Sequence, residues 1–166
     1  MNLSDFNNID DNERCRLLMS CCSCSRWATK LSAEGPFLSI QDLTEKASGC
    51  WSEMSEADIV EAFSGHPKIG DVKDLEKKYG SSPMEEQSSV RLAKSRTLER
   101  LKNKNEEYLE KFGFIFIVFA TGKSAEEMLG LLESRIGNSR EMELKNGARE
   151  QLLIFKKRLG QLLEAP

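Results

Sequence analysis

Apolar residues recur at steps of three and four along almost the whole chain, a period that restricts it to helices packed against one another. Cys15, Leu18, Met19 and Cys22 form one stripe, Ile40, Leu43, Ala47 and Trp51 a second, and Ile59, Val60 and Phe63 a third. Gly35-Pro36 breaks the chain between the first two, and Gly65 followed by His66-Pro67 stops the third. The polar, glycine-containing stretch 68–82 reads as a loop with one helical turn at most. A long helix is expected from Pro83 to about Lys111, with Val90, Ala93, Leu101, Tyr108 and Phe112 on its inner face. Ser82 suits its N-cap, Pro83 its first position, and Glu85 closes a capping box. Ser124 and Glu127 repeat that box ahead of Ala125, Met128, Leu129, Leu132 and Ile136. The last helix, about Ser139 to Leu163, carries Ala148, Leu152, Phe155, Leu159 and Leu162. Between the long helix and the one capped by Ser124, Gly113 to Gly122 is short and rich in β-formers, so it is expected to thread the core as extended chain. The pattern predicts an all-α fold: one domain over 1–166, a bundle of about seven or more helices with a single short extended segment near 114–120.

Charge and hydropathy remove whole classes of function. The formal net charge is −3, and no dense basic stripe offers phosphates a footprint, so nucleic acid is not an expected partner. Lys156, Lys157 and Arg158 cluster on one turn, as a solvated face does. The longest apolar run, Phe112 to Ala120, is about half of the ~18 residues a bilayer span requires, so no membrane partner is expected. Met1 to Asp11 includes acids and lacks the cationic, apolar pattern of a secretory signal. The five cysteines form an odd set crowded near the N-terminus, which suits a reducing compartment. Cys21 and Cys24 have the spacing of a metal or redox pair, but no second pair matches it, and a structural zinc needs four ligands. No glycine-rich phosphate loop is present, so no nucleotide cofactor is expected.

Five features remain as candidates for chemistry. His66 is the only histidine, and imidazole is the usual proton-transfer group near neutral pH. Its place beyond a helix C-terminus would favour the imidazolium and so an acid role; a surface histidine in a turn is the competing reading. Glu86 lies on the line of Val90 and Ala93, placing a carboxylate at the edge of an apolar stripe, unless it serves only to complement the positive helix start. Gln87 beside it can both donate and accept. Arg158 borders the stripe of the last helix, where its head either meets an anionic substrate or extends to solvent. The backbone of 115–120 can read a planar heterocycle if it is extended and unpaired; otherwise it is an ordinary buried strand.

Taken in order along the chain, these residues resemble the OHCU (2-oxo-4-hydroxy-4-carboxy-5-ureidoimidazoline) decarboxylase family, enzymes that complete the conversion of urate to (S)-allantoin. The resemblance rests on Gly65-His66-Pro67-Lys68-Ile69-Gly70, Glu86-Gln87-Ser88, Tyr108 with Lys111 to Ile117, Gly122-Lys123-Ser124, and Arg158-Leu159. With Ile115 and the run Cys21 to Ser25, the chain is most similar to the plant members, in which a transthyretin-like hydrolase domain follows. The resemblance implies an all-α enzyme without metal or organic cofactor, a homodimer, and a peroxisomal location, with the cytoplasm as the alternative. It makes His66 the catalytic acid and Glu86 its partner at the substrate. Pro67, Gln87 and the backbone of Phe116, Ile117, Val118, Phe119 and Ala120 would line the pocket, and Arg158 would bind an anion. Pro83 stands where members often have serine, and Lys68 where an acid is common. The competing class is a non-catalytic helical protein-interaction module, which the amphipathic helices alone would equally suit.

Overall fold

The computed structural model describes residues 1–67, 77 and 88–164, and for 88–92 and 164 the backbone alone. Among these there are eight helices and no strand: α1 (Leu3–Asn8), α2 (Asp11–Cys21), α3 (Ser25–Ala33), α4 (Ile40–Ser52), α5 (Glu56–Ser64), α6 (Ser88–Phe112), α7 (Ala125–Arg135) and α8 (Arg140–Glu164). The helical period therefore prevails, as expected. The expected start of the long helix at Ser82, Pro83 and Glu85 lies outside the described residues.

Helix starts follow local side-chain chemistry. Asn2, Asp10, Ser39, Ser55 and Ser124 each accept a hydrogen bond from a backbone N–H in the first turn of the helix that follows. The expected Ser124–Glu127 capping box forms, and Ser55–Asp58 makes a second. The short α1 and α3 have no counterpart among the sequence stripes. Six residues present too few turns for a period to register, and α1 is finished instead by buried Arg14. That guanidinium donates to the carbonyls of Phe6 at 3.2 Å, Asn7 at 2.9 Å and Ile9 at 2.8 Å.

The chain divides into two compact units. The first comprises Met1–His66, Ile117–Phe119 and the chain from Leu144 onward; the second comprises Pro67–Phe116 and Ala120–Glu143. In the first unit, Trp27 lies 4.9 Å and Trp51 5.8 Å, centroid to centroid, from Phe155 of α8. Both indole N–H groups are satisfied inside the core: Trp27 donates to the Ala47 carbonyl and Trp51 to that of Ala148, each at 3.0 Å. Phe6, Leu18, Leu31, Leu43 and Leu159 complete this core with no exposed surface.

In the second unit, Leu98, Leu101, Tyr108 and Phe112 of α6 are buried. Ala93 is exposed, which corrects the sequence reading at that position; among the described side chains of α6 the first buried one is Leu98. A small side chain counts as apolar in a pattern but buries too little area to hold a face inward. Residues 115–120 form neither helix nor strand, so the ordinary buried strand does not occur. Phe114, Phe116 and Ile117 are buried all the same.

Candidate active site

Two glycines put the end of α5 where it is. Gly65 has an ordinary φ of −75°, so backbone freedom is not its reason for being there. A Cβ at Gly65 would stand 2.3 Å from Ser23 Cβ and 2.1 Å from its Oγ. The loop between α2 and α3 thus packs directly against the α5 terminus. Gly147 plays the corresponding part on α8, where an added Cβ would meet Phe63 Cζ at 2.6 Å. Phe63 lies two residues before Gly65, so the bare backbone at Gly147 lets the last turn of α5 settle on α8. Gly65→Ala is expected to cost about 1–3 kcal/mol through overpacking, read as a lower urea midpoint. An unchanged midpoint would mean that Ser23 turns away freely.

One turn along α8 from Gly147 comes Gln151, and His66 meets it. Its Nε2 lies 2.5 Å from Gln151 Oε1. Arg158 follows Gln151 by seven residues, two helical turns, and so shares its face. The Arg158 Nη1 donates to the Cys21 carbonyl at 3.2 Å, next to the Ser23 loop. Arg158 is therefore half-buried and anchored rather than extended into solvent. Ile117 to Phe119 belong to the same unit, and Lys157 stands 5.7 Å over the Phe119 ring.

The electrostatics correct one expectation. Burial, reinforced by the Arg158 charge, holds the His66 ring below the ordinary imidazole value, and the bond to Gln151 only partly opposes this. The shift favours the neutral ring, because withdrawal from water and a nearby cation oppose the imidazolium that the helix end was expected to favour. The sign for stability follows. A folded value below the unfolded one of about 6.5 means that the unfolded chain binds more protons in the interval between them. Stability is then fully present above about 6.5, falls as pH drops through that value, and levels off below the folded value. Urea midpoints measured on both sides of the interval should show this loss, and a His66→Gln chain should show less of it. Equal losses in both chains would contradict the assignment.

The structure sets His66 against Gln151 and within reach of the Arg158 charge, and 117–119 belongs to the same unit. Pro67 is exposed; it belongs, with Phe116 and Ala120, to the second unit. Glu86 and Gln87 lie outside the described residues. Gln151 was missed by sequence reasoning although a signal existed. It is fully buried, a polar amide set between Ala148 and Phe155 on the stripe of the last helix.

The cysteines have a different character. All five are free thiols, and burial pushes Cys21, Cys22, Cys24 and Cys50 up, away from the thiolate form that metals and redox partners use. Among the described residues, Cys24, Asp58 and Glu61 have ligand atoms within 4.8 Å of one another. Both acids are already engaged: Asp58 with Ser55 and Arg26, Glu61 with Ser25.

The family model described as OHCU decarboxylase matches residues 7–160. A uric acid degradation bifunctional protein of Arabidopsis thaliana is 35% identical over 86% of this chain, which spans 45% of that relative's length. A 2-oxo-4-hydroxy-4-carboxy-5-ureidoimidazoline decarboxylase of Halalkalicoccus jeotgali is 28% identical over 83% of this chain and 78% of its own. A crystal structure of an OHCU decarboxylase in the presence of (S)-allantoin superposes with a TM-score of 0.73 at 31% identity, covering 95% of this chain and all of that one.

Proposed function

Because this chain belongs to the OHCU decarboxylase family, we propose that it converts 2-oxo-4-hydroxy-4-carboxy-5-ureidoimidazoline to (S)-allantoin, with His66 delivering the proton and Glu86 orienting the substrate. One observation carries the role of His66: a half-buried imidazole, the only one in the chain, held 2.5 Å from the buried amide of Gln151, which shares its face of α8 with Arg158.

The chemistry asks for little more. Carbon 4 of the substrate bears both the hydroxyl and the carboxylate. When carbon dioxide leaves, the electron pair forms a double bond between carbons 4 and 5, and the adjacent ring C=N bond shifts its own pair onto nitrogen, which takes a proton from water. The hydroxyl proton must then depart, and carbon 5 must gain a proton from one face only. A neutral imidazole can take the first proton and return one to carbon 5, passing through the imidazolium. His66 is therefore the stereospecific donor, but one that first collects what it gives. Arg158 offers a fixed cation for the carboxylate or the ureido oxygens, although its hold on Cys21 makes its share smaller than that of His66. Pro67, Gln87 and the backbone of Phe116 to Ala120 complete the pocket in this reading, and Glu86 holds the substrate hydroxyl or ureido group. The electron pair is accommodated by the substrate's own ring, so protons and fixed hydrogen bonds are what the protein must supply.

The assay generates the unstable imidazoline from urate in situ and follows the sign and rate of allantoin optical activity. Acceleration with a single sign of rotation supports the reading. No acceleration would leave a helical interaction module. A homodimer, a peroxisomal location and a transthyretin-like hydrolase domain downstream belong to the same proposal; the bifunctional name of the plant relative supports the last.

A further inference from the structure

We propose that Gln151 is a positioning residue for His66: its side-chain carbonyl accepts the Nε2 proton, fixes the ring in that tautomer, and leaves Nδ1 as the nitrogen that exchanges protons with substrate. The inference deepens the decarboxylase reading and rests on it for its catalytic meaning, while the placement of the proton stands on the geometry alone.

Three observations converge on Gln151. The first is the contact of 2.5 Å between Gln151 Oε1 and His66 Nε2. Two bare lone pairs would repel at that separation, so a proton lies between them, and an amide oxygen carries none. The second is burial: Gln151 has no exposed surface, so its orientation is set by packing rather than by water. Phe155, one turn on, is equally buried, and Gly147, one turn before, admits Phe63. The third is its amide nitrogen, which is buried without a hydrogen-bond partner among the described residues. An unpaired buried donor costs about 1–3 kcal/mol. A leucine or methionine would fill the same space without that cost, so stability does not explain an amide here, whereas orienting the imidazole does.

The arrangement also supports the ring through its charged state. When Nδ1 takes a proton, the Nε2–H···Oε1 bond becomes charge-assisted and strengthens. That opposes the two influences working against the imidazolium, burial and Arg158. The other ionisable groups nearby are otherwise occupied. Lys157 on α8 lies over Phe119, Glu61 on α5 is bound by Ser25, and burial keeps the Cys21 and Cys22 thiols of the α2 end protonated. Gln151 is thus the group that makes a proton-carrying His66 accessible from a neutral resting state.

A chain with a single histidine makes the test direct, since ¹⁵N and ¹H NMR of the imidazole report one residue. In the full-length protein the expected spectrum at high pH has Nε2 protonated and Nδ1 bare. The reverse tautomer, which an inverted amide would impose, overturns the proposal without any variant. Gln151→Met removes the acceptor at similar volume and should lower the midpoint of the ring, mix its tautomers and reduce kcat/KM about 10- to 100-fold, part of the 10²–10⁴ that such proton transfer supplies. Gln151→Glu keeps the acceptor and adds charge, so the midpoint should rise and the pH profile of kcat/KM should move with it. Opposite shifts in the two variants are beyond a purely structural role. Unmoved midpoints and tautomer in both folded variants would sink the assignment. The tautomer and midpoint shifts without any allantoin formation by the parent protein would instead reject the decarboxylase reading and leave the ring placement intact.

Discussion

His66→Ala is expected to reduce kcat/KM for the ureidoimidazoline by about 10²–10⁴, the contribution of a positioned proton-transfer group, and to abolish the preference for one enantiomer. The second effect is the more telling. Loss of carbon dioxide and protonation of carbon 5 both proceed in water, so a protein lacking its donor can still bind the ring and speed the first step. What it cannot do is choose the face. Alanine has a structural consequence that must be separated from the chemical one: the Gln151 oxygen would lose its partner as well, which costs about 1–3 kcal/mol. His66→Gln keeps a donor near the position of Nε2 and should retain more of the urea midpoint while remaining as inactive as alanine. Both variants would be compared for rate, enantiomeric excess of allantoin and denaturation midpoint. Full rate and undiminished enantiomeric excess in either folded variant would remove His66 from the mechanism.

What the sequence disclosed of this architecture depended on length and on chemistry. The longer helices presented three or more turns of stripe, and Ser124 with Glu127 announced a helix start through hydrogen bonds that are local and therefore visible in a short window. The short α1 is completed by Arg14, whose carbonyl partners lie five to eight residues away, and no periodicity expresses that. His66 and Arg158 were legible as candidates because unusual residue types stood at helix edges, and both fall in the first unit. Gln151 was not, since an amide inside an apolar stripe reads as an interruption until His66 is seen against it, 85 residues away in the chain. Gly65 was read as a helix stop. It is one, yet its missing Cβ matters more for the approach of Ser23, a contact that only the fold creates. The apolar run ending at Ala120 predicted burial correctly for Phe114, Phe116 and Ile117, but composition alone could not say whether that backbone would pair with a strand.

In the second unit the largest expected loss of stability comes from Glu143→Ala. The carboxylate has no exposed surface and accepts from Tyr108 Oη at 2.7 Å, Arg135 Nε at 2.8 Å and Asn138 Nδ2 at 3.0 Å. Two charges withdrawn from water are tolerable only as a pair, so deleting the acid takes the Glu143 charge away from the Arg135 cation, itself only 11% exposed. The expected cost is about 3–5 kcal/mol, a large share of the roughly 5–15 kcal/mol that holds a typical domain folded. Tyr108→Phe should cost far less, about 0.5–1.5 kcal/mol, because burial and the bond to Glu143 keep the phenol protonated and its loss strands no charge. The ordering matters for function through Phe116. The Arg135 guanidinium lies 4.6 Å from the centre of that ring, and Tyr108 meets it edge-on at 5.3 Å. Phe116 immediately precedes the 117–119 segment in the chain, so on the proposed pocket lining a loosened Glu143 cluster should raise KM while leaving the His66 midpoint unmoved. Denaturant unfolding gives the first quantity, the KM of folded protein the second and NMR titration the third. A Glu143→Ala chain within about 1 kcal/mol of the parent would show that Arg135 finds other company and that the cluster is dispensable.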